Sequence, residues 1–156
     1  MENGLVVWQR GDAVTAALAR AEAVWPAPDE QWIEDRFWTW LHCGAAKAGR
    51  GELFECLDVL GALRGAVLGP LIALDRGHRP SGARRLETIA PDLVPDLAKT
   101  VATVDPADCL RALRAAADLY VRLRENHPDL RRHAAAETAA VQYVAEIEAR
   151  VASRFV

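Results

Sequence analysis

The sequence is poor in cysteine, and its cysteines follow no pattern of known chemistry. Cys43, Cys56 and Cys109 are the only three in 156 residues. An odd number of widely spaced thiols, with no C-x-x-C pair and no histidine at ligand spacing, argues against a disulfide framework and against a zinc site. Free thiols are typical of a reducing compartment, so we expect a cytoplasmic protein.

An excess of one charge and long apolar runs are also missing. The chain has 19 Lys and Arg against 22 Asp and Glu, a formal net charge of −3, and the two signs are mixed. Because nucleic-acid binding needs massed basic residues, we expect no nucleic-acid partner. The most apolar stretch, residues 53–74, is interrupted by Glu55, Asp58 and Arg64, so we expect no membrane span, and the N-terminus lacks the pattern of a signal peptide.

The short motifs of common enzymes are absent as well. The sequence contains no Walker loop, no G-x-G-x-x-G, no H-E-x-x-H and no nucleophile elbow. We therefore expect that the chain holds no cofactor and has no catalytic activity by itself.

Helical periodicity is what the sequence has in abundance. It predicts long helices over residues 29–48, 51–75, 105–126 and 130–153, with shorter helices over 12–25, 84–89 and 91–103. Long helices with short connections favour an all-α antiparallel bundle of four long helices plus shorter ones, a helical domain over residues 12–156. Residues 1–11 form a separate extended segment, in which 4–8 (GLVVW) resemble a lone strand that must pair with another chain, fray, or be the remnant of a missing sheet.

The helix predicted over residues 51–75 carries a charge in an apolar seam. Apolar residues recur at steps of four and three, and Arg64 occupies one of these positions. A guanidinium there is costly unless acceptors meet it, so Arg64 is either an anchor for an anion or substrate, or a structural salt bridge or an arginine that reaches water. Gly61, Gly65 and Gly69 lie on a neighbouring line and predict close approach of another helix, and Pro70 predicts a kink.

Further candidates lie on either side of this seam. Glu52, Glu55 and Asp58 could bind a polyamine-like substrate or supply a general base, although carboxylates in a first helical turn also serve as capping groups. His42 could act as a base or be a hydrogen-bonded, partly buried histidine. Separately, Arg122 and His127 match the loose R-x4-H spacing of HEPN ribonucleases.

A resemblance to a known family is carried by residues 31–76, followed by RRLE at 84–87 and DLYVRLRE at 118–125. It covers roughly residues 12–150 and is strongest in GRGELFECLDVL at 49–60 and LRGAVLGPL at 63–71. Together these segments resemble the C-terminal helical domain of bacterial nucleotidyltransferase-like proteins related to kanamycin nucleotidyltransferase. The resemblance implies a substrate face that includes Arg84, Arg85 and Glu87 besides the candidates above. It also implies an α/β catalytic partner domain, which would hold Mg²⁺ and a nucleoside triphosphate, and an amine- or hydroxyl-bearing small-molecule substrate.

The Gly-Ser motif and paired aspartates of that catalytic domain are not in this sequence. The resemblance therefore predicts a substrate-binding and interaction domain, either dissected from a longer protein or working with a partner. A structural helical homodimer, paired through the glycine row and the N-terminal segment, is a second possibility. The HEPN-type ribonuclease is a third.

Overall fold

The computed structural model describes residues 5–21 and 26–153, and these residues are helical without any strand. Its helices are α1 (Ala13–Arg20), α2 (Glu30–Arg50), α3 (Leu53–Leu63), a π-helical turn (Arg64–Leu68), α4 (Gly69–Asp75), α5 (Leu86–Ile89), a 3-10 turn (Pro91–Leu93), α6 (Val94–Lys99), α7 (Pro106–Leu123), a second 3-10 turn (Arg124–Asn126) and α8 (Ala134–Ala152). The predicted all-α fold with long helices is confirmed.

Local chemistry sets the ends of the long helices. The Asp29 carboxylate accepts a hydrogen bond from the Trp32 backbone N–H at 2.8 Å, and Asp105 does the same for the N–H of Asp108 at 2.8 Å. Gly51 ends α2 with a φ of +82°, a conformation that glycine adopts without strain. Three predicted boundaries were wrong: α1 ends at Arg20, because the next residue is extended, the helix predicted over residues 91–103 ends at Lys99, and α8 begins at Ala134 rather than at residue 130. Residues 22–25 of the predicted first helix lie outside the described residues.

The core lies where α2 packs against α3, α7 and α8. Its largest buried apolar side chains are Ile33, Phe37, Leu41, Leu60, Leu63, Leu68, Leu71, Ile72, Leu110, Leu113, Leu119 and Tyr120. Of the described helices, the continuous stretch Leu53–Asp75 is long and apolar enough to cross a membrane by length and composition alone. Half of its most apolar window is buried inside the fold, as is also found in core helices of globular proteins.

Pro70 widens the helix rather than ending it. Proline has no N–H to donate, and its ring collides with the carbonyl four residues earlier in a regular α-helix. Here the Gly69 N–H bonds to the Arg64 carbonyl, five residues back, and residues Arg64–Leu68 form a π-helical turn. The turn lets Pro70 stay buried in one continuous helical stretch.

The glycine row has a different role from the one predicted. A Cβ on Gly69 would lie 2.4 Å from the carbonyl oxygen of Gly82, so a loop, and not a helix, makes the close approach. A Cβ on Gly65 would meet nothing within 4 Å, and one on Gly61 would meet only the Arg64 side chain at 3.9 Å. The prediction that another helix packs along all three glycines was wrong for the described chain.

The N-terminal segment contributes little to the core. Residues 5–9 have no regular secondary structure, so the predicted strand is not formed by its described residues. Leu5, Val7 and Trp8 are each more than 80% exposed, and α1 buries none of its residues.

Candidate functional site

Arg64 lies at the edge of the core with most of its hydrogen-bonding capacity unused. Its Nη1 donates to the Thr100 carbonyl oxygen at 2.6 Å, the one hydrogen bond that its side chain makes to the described residues. No described carboxylate lies within ion-pair distance of it, which rules out the structural salt bridge there. Partial burial lowers the pKa of the guanidinium, because burial disfavours its charged form.

The acceptor of this hydrogen bond is a backbone carbonyl at the C-terminal end of α6. Thr100 is fully buried, and its hydroxyl donates to the Leu97 carbonyl at 2.7 Å. Arg111 binds the two flanking carbonyls, of Lys99 at 2.7 Å and of Val101 at 2.9 Å. Two arginines therefore occupy three successive carbonyls where α6 ends, and Arg64 has a defined position.

A pocket of about 320 Å³ opens beside Arg64. Its lining residues are Arg64, Ala83, Leu86, Glu87, Val94, Leu97, Ala98 and Val101. The pocket is thus apolar apart from one cation and one anion, which α5 supplies as Glu87. A guanidinium has five N–H donors, so four remain for a ligand once Thr100 is bound. An acidic group on a ligand fits Arg64, and an amine or hydroxyl fits Glu87.

Two more predicted residues, Arg84 and Arg85, lie close in sequence to Glu87 but line a second pocket. That pocket also contains Thr88 and Ile89, whereas Leu86 and Glu87 line the first. The one-turn helix α5 thus separates the two pockets. Of the eight predicted site residues, Arg64 and Glu87 come together, and Arg84 and Arg85 form a neighbouring basic site.

The carboxylates at the junction of α2 and α3 are already neutralised. Arg50 donates two hydrogen bonds to Glu52, at 2.8 and 2.7 Å, and these bonds lower the pKa of Glu52. Glu55 is paired with Lys47. Glu52 precedes α3 without a side-chain capping bond, whereas Glu55 lies in the first turn of α3, where the helix dipole favours a carboxylate. Asp58 is exposed on α3, and none of the three lines the Arg64 pocket.

His42 is also separate from that pocket. It is exposed on α2, and its ring stacks on Tyr143 with 4.0 Å between the ring centroids. Neither the predicted partly buried position nor a catalytic cluster is found around it in the described chain.

Sequence reasoning missed a buried ionic cluster centred on Glu34. The Glu34 side chain is fully enclosed, and it accepts hydrogen bonds from four groups: Tyr120 Oη at 2.6 Å, the His133 backbone N–H at 3.0 Å, Trp38 Nε1 at 3.2 Å and Arg124 Nη1 at 3.2 Å. Burial disfavours the carboxylate, but these bonds and the Arg124 charge together outweigh it and lower the pKa of Glu34.

Arg124 completes this cluster from the turn after α7. Its Nη2 donates to Glu137 at 2.5 Å, and its side chain is only 4% exposed. Its Nε is buried without a hydrogen-bond partner. Arg124 follows Tyr120 by four residues, and Glu34 precedes Trp38 by four, so both charges continue an apolar helix face. A charged residue on an apolar helix face was therefore the sequence signal that could have identified this cluster.

The two residues of the R-x4-H spacing make separate ion pairs. Arg122 is exposed and donates to Asp96 at 2.6 Å. His127 Nδ1 lies 2.8 Å from Glu30 Oε2, and the ring is mostly enclosed. These contacts suit structural roles for both side chains, and the ribonuclease interpretation has no further geometric support.

No group of three or more metal-ligating side chains occurs within residues 5–21 and 26–153. No family model, curated protein or solved structure matches the chain.

Proposed function

We propose that this chain is a small-molecule-binding helical domain, inactive by itself, and that the pocket beside Arg64 is its substrate site. The observation that carries the proposal is a half-buried guanidinium with a single carbonyl partner, facing a cavity with apolar walls. A partly dehydrated charge gains more from an anionic ligand than an exposed one, because water screens the interaction less. The cavity volume is within the range of small-ligand sites.

The ligand that suits this pocket has an acidic group, a short apolar body and an amine or hydroxyl. The acidic group would bind Arg64, the body would contact Leu97 and Val101, and the amine or hydroxyl would donate to Glu87. 6-Aminohexanoate has these three parts and is a suitable probe, with hexanoate and hexylamine as probes that lack one charged group each.

The proposal is tested by titrating the isotope-labelled protein with these probes and following backbone amide signals by NMR. We expect 6-aminohexanoate to shift signals of residues 86–87 and 97–101. Arg64→Met should weaken binding of 6-aminohexanoate and hexanoate by about tenfold, the effect of losing one charge-assisted hydrogen bond. Glu87→Gln should weaken 6-aminohexanoate and leave hexanoate unchanged.

Arg150→Met is the matched control, because Arg150 is exposed on α8 and lines neither pocket. If no probe shifts these signals at millimolar concentration, or if Arg150→Met weakens binding as much as Arg64→Met, the proposed site is wrong. Because Glu87 is exposed, Glu87→Gln should fold normally even if Arg64→Met does not.

The proposed catalytic partner is an α/β nucleotidyltransferase domain, and it is supported by the sequence resemblance over residues 31–76, 84–87 and 118–125. Mixing the chain with such a domain, ATP–Mg²⁺ and an amine-bearing acceptor should give nucleotidyl transfer that neither component gives alone. Failure of the two to associate in size-exclusion chromatography would contradict this part of the proposal.

A homodimer without a small-molecule substrate is a second candidate. The exposed Leu5, Val7 and Trp8, and an α1 that buries none of its residues, favour it. Deletion of residues 1–11 separates the candidates in sedimentation velocity measurements. A dimer that dissociates on deletion supports the homodimer, whereas a chain that is monomeric with or without these residues removes it.

A further inference from the structure

We propose that Arg111 is a positioning residue for the Arg64 pocket, which it does not line: it fixes the backbone to which Arg64 is bound and which forms one wall of the pocket. This inference rests on the proposed function, because it concerns how the same site is built. Arg111 lies on α7 with its side chain 49% exposed, so it contributes little to the core. The role that its contacts support is therefore local.

The Arg111 guanidinium uses each of its three nitrogens. Nη1 donates to the Lys99 carbonyl oxygen at 2.7 Å and Nη2 to the Val101 carbonyl oxygen at 2.9 Å, while Nε donates to Asp108 Oδ1 at 2.6 Å. Because the guanidinium is planar and rigid, these bonds fix the end of α6 relative to the first turn of α7. An ammonium group has no such fork, so lysine at this position would not hold both carbonyls in the same geometry.

Asp108 is itself held in place on its other side. Its Oδ2 accepts hydrogen bonds from the Thr103 backbone N–H at 2.7 Å and from the Thr103 hydroxyl at 2.8 Å. The Thr103 N–H, Arg111 and the Thr103 hydroxyl together lower the pKa of Asp108 to about 2. The carboxylate that orients Arg111 therefore stays charged at neutral pH, and the two side chains together hold the chain between α6 and α7.

The carbonyl between the two that Arg111 binds is that of Thr100, the acceptor of the Arg64 hydrogen bond. The last carbonyls of a helix have no partner within the helix, and helix ends fray. Arg111 supplies two of the missing partners at the end of α6. Leu97 and Val101 of the same segment line the Arg64 pocket. Holding this segment therefore fixes both the direction of the Arg64 guanidinium and the apolar wall beside it.

The first measurement uses the ligand-free protein and compares Arg111→Gln with Arg114→Gln by NMR. Arg114 is the matched control, because it also lies on α7 with its side chain 44% exposed but pairs with Glu148 on α8. We expect Arg111→Gln to accelerate amide hydrogen exchange of residues 100–101 by about fivefold, as for the loss of one hydrogen bond, and to speed rotation of the Arg64 guanidinium. Arg114→Gln should leave both unchanged.

The second measurement separates positioning of Arg64 from general loosening of the pocket. Arg111→Gln should weaken binding of hexanoate, which needs the guanidinium, by about threefold or more, and binding of hexylamine, which needs Glu87, by less. In the Arg64→Met background, Arg111→Gln should cause no further loss of hexanoate affinity, because residues that act as one unit are not additive. A purely structural role would weaken both probes equally and would add to the loss from Arg64→Met.

These measurements can fail independently of the proposed function. If the wild type does not bind hexanoate, the proposed site is wrong, and the exchange rates and the Arg64 signals still decide whether Arg111 positions Arg64. Arg111→Lys keeps the charge beside Asp108, so it should fold even if Arg111→Gln does not, and it should show the same faster exchange. Unchanged exchange and rotation in Arg111→Gln, equal changes in Arg114→Gln, or additive losses of hexanoate affinity in the double variant would each overturn the proposal.

Discussion

Replacing Glu34 by glutamine tests whether the buried ionic cluster holds the helices together. Glutamine keeps the shape of the side chain but turns one acceptor oxygen into an N–H₂ donor. All four groups that contact the carboxylate are donors, from Trp38, Tyr120, Arg124 and His133. The Tyr120 hydroxyl can turn to accept from the new amide, but Arg124 loses one of its two counter-charges.

The expected cost follows from the enclosure of these groups. Removing one partner of a buried ion pair costs about 3–5 kcal/mol, because the remaining charge is left without compensation. Glu137 still pairs with Arg124 at 2.5 Å, so we expect the lower end, about 3 kcal/mol of unfolding free energy. For a chain of 156 residues this corresponds to a fall in Tm of about 6–12 °C.

Urea unfolding followed by far-ultraviolet circular dichroism measures this loss. Glu137→Gln is the matched control: it removes the other counter-charge of Arg124, but the Glu137 side chain is 28% exposed, so water can replace the lost bond. We expect a loss of about 1 kcal/mol for it. If Glu34→Gln costs no more than Glu137→Gln, enclosure does not determine the strength of this cluster and the reasoning is refuted.

Three further perturbations follow from the same contacts. The folded state lowers the pKa of Glu34 below its ordinary value of 4.5. The stability that the Glu34 carboxylate contributes is therefore complete above pH 4.5 and is lost as the pH falls through the folded-state pKa. Urea midpoints measured from about pH 6 to about pH 3 should therefore fall less for Glu34→Gln than for the wild type, and parallel curves would contradict this. Gly69→Ala should lower the unfolding free energy by about 1–3 kcal/mol through overpacking, whereas Gly65→Ala, in open space, should be neutral or raise it by up to about 1 kcal/mol. Equal effects of the two in urea unfolding would show that the contact with the loop is unimportant. In the native protein, Ellman's reagent should modify exposed Cys43 rapidly and spare Cys56, because the Cys56 thiol is buried and burial raises its pKa to about 12. Rapid modification of all three thiols would show that the core opens readily.

The fold was predictable because its signals are local. Helical periodicity gives the long helices, and Asp29, Gly51 and Asp105 mark boundaries through hydrogen bonds or dihedral angles within one turn. The prediction failed where a distant group decides the outcome. Gly69 belongs to a regular row in the sequence, and only the fold shows that a loop thirteen residues later in the chain, at Gly82, makes the contact.

The candidate site was predictable in part for the same reason. A charge in an apolar seam identified Arg64 from a single helix, and the structure places that residue at a pocket. Glu52 and Glu55 were plausible candidates because the sequence does not show which cations reach them. In the structure Arg50 and Lys47 neutralise both, through contacts across the turn between two helices.

Arg64 and Arg124 show why a charge at a core position is an ambiguous signal. Both interrupt an apolar helix face, but Arg124 meets two carboxylates from other helices, so its charge is balanced inside the fold. Arg64 meets only the Thr100 carbonyl, a dipole that satisfies one donor and leaves a full positive charge. An uncompensated, partly buried charge is stabilised by an anion from outside, and the adjoining cavity leaves room for one. Arg124, whose charge is balanced within the fold, therefore suits a role in folding, and Arg64, whose charge is not balanced, suits the binding role that we propose.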